Sequence, residues 1–147
     1  MCLFRRKQVG KIYKTTDGYF ANNPKNKKTR HVVVVDQRSF DGAIAVAKIH
    51  SKKEGRKGCI DNIVLSPKKH KVLKQNSVVE RRVIHGIKRN NKFQPIYRRE
   101  LTGTKSKLGF VEFAKLRREL GGRTQKEKNV YRSTRRKWHK GFSNKKK

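Results

Sequence analysis

The chain has 147 residues, room for one domain with one modest core, and carries 42 Lys and Arg against 10 acidic residues, a formal charge of +32. Cys2 and Cys59 are too few for a disulfide scaffold or a thiolate zinc site, and the five histidines are scattered without ligand spacing. The opening Met1-Cys2-Leu3-Phe4-Arg5-Arg6-Lys7 has no apolar stretch behind its charges, so it reads as no signal peptide. A membrane surface fits poorly, because no apolar run approaches about 18 residues. The expectation is a cytoplasmic, reduced protein with no structural metal and no cofactor.

In chain order, Gln8 to Thr15, with Val9, Ile12 and Tyr13, reads as a first strand of partial alternation. Asp17-Gly18 and Asn22-Asn23-Pro24-Lys25-Asn26 read as a long basic loop of turn formers. Val32 to Val35 predicts a strand with both faces largely buried, or a core strand of a small barrel. Asp41-Gly42 then predicts a hairpin turn into a second strand, Ala43 to Ile49. That strand sets Ala43, Ala45, Ala47 and Ile49 on one face and Ile44 and Val46 on the other, and the small residues invite another layer to come close.

Cys59 to Leu65 is the next strand, and Ser66-Pro67 predicts a short helical turn through His70. Ser77 to Ile87 is rich in β-branched residues and strand-like, and Phe93 to Arg99 predicts a charged edge strand. Leu108, Val111, Leu116 and Leu120, with Phe113 and Ala114 beside them, predict a helix capped by Thr104 or Ser106 and stopped by Gly121-Gly122. The sum is a mainly β protein, a small, strongly curved sheet or barrel with a C-terminal helix over residues 1–122 and a basic tail over 123–147.

Charge follows the same division. Residues 31–50 balance Asp36 and Asp41 against Arg38 and Lys48, whereas residues 121–147 hold eleven bases and one acid. The tail interleaves Tyr131, Trp138 and Phe142 with Arg132, Arg135, Arg136, Lys137 and Lys140, the mixture that phosphates and stacked bases favour. It is expected to order on a polyanion. Phosphate backbone is the natural counter-surface for such a chain, since each phosphate neutralised releases condensed counterions.

Several segments, in order, resemble the MazF/PemK family of toxin endoribonucleases. Val9-Gly10-Lys11-Ile12-Tyr13 looks like that family's opening strand, and Asn22-Asn23-Pro24 like its following loop. Arg30-His31-Val32-Val33-Val34-Val35 is similar to its arginine-led second strand, and Ala43 to Ser51 to its third. Asn76-Ser77-Val78-Val79 with Val83-Ile84-His85-Gly86-Ile87 resembles the later strand region. The resemblance spans roughly residues 8 to 97. It implies an SH3-like barrel, a homodimer, an acidic antitoxin partner, and metal-free cleavage of single-stranded RNA. It places the catalytic arginine on Arg30, the catalytic hydroxyl on Ser51 and a further basic role near His85. The first loop departs from the family in being basic rather than glycine-rich.

The residues themselves allow that chemistry. When a 2′-hydroxyl attacks the adjacent phosphorus, a fixed guanidinium such as Arg30 suits the charge on the phosphoryl oxygens. His50 or His85 has the titration range of a general acid or base. Strand alternation points His50 and Ser51 to opposite faces, so at most one lines a given groove. Asp36, Asp41, Asp61 and Glu80 are too scattered to read as a metal-nuclease pair. Binding is expected from Lys25, Lys27, Lys28, Arg30, Lys52 and Lys53 as well as the tail. Three readings stand side by side: a metal-independent endoribonuclease, a non-catalytic nucleic-acid or ribosome-binding protein, and a structural ribosomal protein resident in a ribonucleoprotein assembly.

Overall fold

The structure, a computed structural model, describes residues 8–21, 23–38, 41–53 and 58–120. Its elements are β1 (Lys11–Thr16), α1 (Asp17–Ala21), β2 (Thr29–Gln37), β3 (Ile44–Ser51), β4 (Cys59–Leu65), β5 (Ser77–Ile84), β6 (Gly86–Arg89), β7 (Lys92–Pro95), a 3-10 turn (Arg98–Glu100) and β8 (Thr102–Lys107). A closing helix, α2, runs over 110–120.

Six strands form one antiparallel sheet in the order β4-β5-β3-β2-β1-β8. Both faces of it are covered, and the valine run of β2 shows how. Val33 and Val35 enter one cluster with Ile12, Ala45, Ala47, Ile49, Val79 and Val83, which Leu108 and, from α2, Leu116 and Leu120 complete. Val32 and Val34 enter the other with Tyr13, Ile44 and Val46, closed by Ile87, Ile96 and Leu101. Side chains alternate across a strand, so a run of apolar residues fits a sheet that is the middle layer of three. Ala45 and Ala47 are the small residues that let the helical layer approach.

The expected barrel is not closed. β4 and β8 stand at opposite ends of the sheet order, and the chain after β5 leaves the sheet to pair with itself as the β6–β7 hairpin. Asn90 and Asn91, both at positive φ (49° and 62°), make the two-residue turn between Arg89 and Lys92. Asparagine tolerates that left-handed pair better than most residues, and the turn commits the two strands to each other. With the hairpin on one face and α2 on the other, both apolar faces are buried without closure.

Several sequence expectations shift. The loop after β1 contains α1, and Gln8 to Gly10 form a turn before the first strand. Ser66-Pro67 opens a turn, not a helix, although the His70 N–H reaches the Ser66 carbonyl at 2.9 Å. The edge strand of Phe93 to Arg99 breaks after Pro95 into the 3-10 turn. Thr104 and Ser106 cap nothing, since they lie in β8, and the Thr104 hydroxyl bonds to the Ile12 carbonyl. The first turn of α2 is instead tied by Glu112, which accepts from the Gly109 N–H at 3.2 Å. Val111, expected on the apolar stripe, is exposed. The hairpin turn at Asp41-Gly42 is as expected, with Gly42 at φ +75°. Cys2, Gly121-Gly122 and the tail lie outside the described residues.

Candidate nucleic-acid interface

Register decides which charges meet. Thr16 pairs with Thr29, His31 with Ile49 and Ser51 with Ser77. The end of β1, the start of β2, the end of β3 and the start of β5 therefore share one end of the sheet. Lys25, Lys27 and Lys28 precede β2 there, and Lys52 and Lys53 follow β3; all are exposed. Exposed Lys74 approaches β5 on the same side, where the Lys52 N–H bonds to the Asn76 carbonyl at 2.8 Å. Residues remote in sequence thus form one basic rim.

Inside that rim, Arg30 and His50 project from neighbouring strands on the face of Val32, Val34 and Val46. Arg30 Nη1 lies 2.9 Å from His50 Nδ1, and His50 Nε2 lies 3.1 Å from Glu80 Oε2. A guanidinium can only donate, so Nδ1 accepts and the imidazole proton sits on Nε2, facing Glu80. Arg30 Nε also donates to Asp17 Oδ1 at 3.3 Å, and Lys48 Nζ reaches the same oxygen at 3.4 Å. Lys48 in turn stands 5.4 Å over the Phe20 ring. These side chains are mostly shielded, with 15% of Arg30 and 17% of His50 exposed.

The carboxylates respond to this setting. The His50 hydrogen bond outweighs burial and holds Glu80 below its ordinary range, with Lys48 and Arg82 assisting. Burial pushes Asp17 up, but Arg30 and Lys48 together carry it below its usual value. On the opposite face of β2, burial lowers the His31 pKa and the charges of Lys14 and Lys74 lower it further.

Of the sequence candidates, Arg30 and His50 are brought together. Ser51 is not with them: it follows the alternate face of β3, opposite Ser77, so Arg30 and Ser51 lie on different sides of the sheet. His85 sits between β5 and β6, beyond the Ile84–Val46 pairing and thus at the far end of the sheet. Arg132, Arg135, Arg136, Lys137, Trp138 and Lys140 lie outside the described residues. Asp17, Lys48 and Glu80 are members that sequence reasoning missed. The signal for Lys48 was present, because residues two apart on a strand share a face. Among the described residues no three His, Cys, Asp or Glu gather as a metal site, and no helix is long and apolar enough to cross a membrane.

Beside the network, α1 and the 23–28 loop enclose a cleft of about 460 Å³, with Arg89 of β6 as its far wall.

No known family's sequence model matches this chain, and no curated protein sequence matches it.

Proposed function

We propose that this chain binds RNA across the lysine-rich end of its sheet. The observation that supports this is the convergence of Lys25, Lys27, Lys28, Lys52, Lys53 and Lys74 around Arg30. The carboxylates described there, Asp17 and Glu80, already engage Arg30, Lys48 and His50, so they do little to offset the exposed lysines. An anionic strand is the partner that relieves such a surface, through counterion release. The tail, with its bases and aromatics, extends the same chemistry, and a ribonucleoprotein assembly is the natural setting for it.

The test is the affinity for labelled single-stranded RNA as a function of salt. Each lost phosphate contact flattens the log–log slope by about 0.7 for a single strand. Lys27→Glu with Lys52→Glu should weaken binding and flatten the slope. Affinity indifferent to salt and to both charge reversals would sink the proposal.

The Arg30–His50–Glu80 chain favours a second reading, metal-independent endoribonuclease action of the MazF/PemK kind with His50 in place of Ser51. Arg30 would turn from His50 Nδ1 to the phosphoryl oxygens and hold their charge, and the Nδ1 lone pair so freed would take the 2′-hydroxyl proton as that oxygen attacks phosphorus. The 5′-oxygen leaves and takes a proton from water while His50 returns its own to solvent, giving a cyclic phosphate and a 5′-hydroxyl. An acidic antitoxin and a homodimer belong to this reading. Incubation of RNA in EDTA decides it: discrete fragments from the wild type and none from Arg30→Ala support cleavage, and intact RNA in both leaves binding alone.

A further inference from the structure

We infer that the cleft between α1 and the 23–28 loop takes one unpaired base of a bound RNA strand, with the adjoining phosphate on Lys27 and Arg89. The inference rests on the RNA-binding proposal and names the subsite that reads a nucleotide within it.

The cleft is a built cavity. The Asp17 N–H bonds to the Lys28 carbonyl at 2.7 Å, the Gly18 N–H to the Asn26 carbonyl at 3.2 Å and the Asn23 N–H to the Gly18 carbonyl at 2.9 Å. These bonds fasten the loop onto α1 so closely that a Cβ on Gly18 would collide with the carbonyl oxygens of Asn23 and Asn26. At about 460 Å³ the space lies within the roughly 300–1,000 Å³ of small-ligand sites.

Its lining specifies a flat, anionic ligand. The Arg89 guanidinium lies over the Tyr19 ring, 4.4 Å from its centroid, so a cation and an aromatic face meet at the wall. The far edge of Tyr19 is tethered by its hydroxyl to Glu100. Unstacked bases are held on aromatic rings and on arginine planes of this kind. Lys27 and Arg89 are the charged residues of the lining, which contains no carboxylate. Arg89 Nη2 reaches the Tyr19 carbonyl at 3.5 Å, while its Nε is buried with no hydrogen-bond partner among the described residues.

The two asparagines supply edge recognition. Asn23 Oδ1 accepts from the Lys25 N–H at 3.2 Å and Asn26 Oδ1 from the Lys28 N–H at 3.1 Å. Their amide nitrogens remain as donors toward the ring nitrogens and carbonyls of a base. Position completes the case. Asp17, the first residue of α1, grips Arg30 and Lys48, so the cleft adjoins the network inside the basic rim. A strand lying along the rim has its next base within reach of the cleft.

The experiment compares a short single-stranded RNA with an abasic strand of equal phosphate count, using the full chain and fluorescence anisotropy. The intact strand should bind roughly 5- to 150-fold more tightly, the range one stacked base contributes. Tyr19→Ala and Arg89→Gln should shrink that difference several-fold, whereas Tyr19→Phe, which keeps the ring, should preserve it, and an undiminished difference in the first two overturns the cleft assignment. Circular dichroism melts confirm that each variant is folded. Equal affinity for intact and abasic strands overturns the cleft assignment while phosphate binding stands. Loss of the intact strand's advantage in excess AMP, with abasic binding unchanged, supports a base-sized site in the cleft, and an advantage that survives saturating AMP overturns it. Binding to neither strand at low salt overturns the RNA proposal and the cleft together.

Discussion

Arg30 and His50, 20 residues apart in sequence, share a hydrogen bond of 2.9 Å that leaves the imidazole accepting on Nδ1 and donating on Nε2. The guanidinium therefore fixes the tautomer, and Glu80 receives the remaining proton. Removing Arg30 leaves the Asp17 carboxylate to Lys48 alone and orphans the His50 lone pair. Arg30→Ala should cost on the order of 1–3 kcal/mol in urea denaturation, the scale of a shielded polar group left unsatisfied. Arg30→Lys should recover part of this, since an ammonium can still approach Asp17 but has no fork to reach both partners. A loss too small to measure would show that the network contributes nothing to folding.

Acid stability should fall in two separable stages. The His31 pKa is depressed in the fold, so its contribution is complete above its ordinary 6.5 and is lost as pH falls from there through the depressed value. Glu80 and Asp17 are depressed below 4.5 and 3.8, so their contribution is present above those values and lost beneath them. The melting temperature of His31→Gln should change less with pH than wild type through the first stage only. Glu80→Gln should flatten the second stage and leave the first intact.

Gly18→Ala should disrupt the loop. The atoms in its way are backbone carbonyl oxygens, which cannot swing aside as a side chain would. The loop must lift from α1, at a cost of about 1–3 kcal/mol for overpacking. Thermal melts should show the destabilisation, and nuclear magnetic resonance shifts should move at Asn23 and Asn26.

The helical layer is held by polar contacts as well as by leucines: Glu119 meets Asn62 and Arg81, and Glu112 meets His70. His70, 2% exposed, places Nε2 3.0 Å and 3.2 Å from the two Glu112 oxygens. Glu112→Ala removes this partner and the bond from the Gly109 N–H, and should cost about 1–3 kcal/mol. Leu116→Ala, emptying a fully buried site, should cost about 2–5 kcal/mol. Both are read by urea titration, and an unchanged midpoint for Leu116→Ala would contradict the packing of α2.

Legibility in the sequence tracked burial. Val32 to Val35 and Cys59 to Leu65 announce strands because a covered sheet needs apolar residues there. Thr102–Lys107 has no such signature: it lies along the sheet edge, mostly exposed, and is recruited by the backbone of β1. Asn90-Asn91 was a readable turn signal whose consequence, an open sheet, depends on where the hairpin docks. In the site, the common face of Arg30 and His50 follows from alternation and hairpin register. Asp17 was hidden because a five-residue helix shows no apolar period. The Tyr19–Arg89 contact joins residues 70 apart through tertiary packing alone.

The β6–β7 hairpin also sets a hierarchy of opening. Its ladder to the main sheet is the Ile44–Ile96 bridge, where the Ile44 N–H meets the Ile96 carbonyl at 2.8 Å. The amides of β2 and β3, by contrast, are enclosed between paired neighbours on either side. In deuterated solvent, β2 and β3 should exchange only through global unfolding, whereas β6 and β7 should exchange sooner, through local excursions that leave the sheet intact. Because Arg89 rides on that hairpin, each excursion also removes one wall of the cleft. The lifetime of anything seated there is then capped by the rate at which this layer detaches.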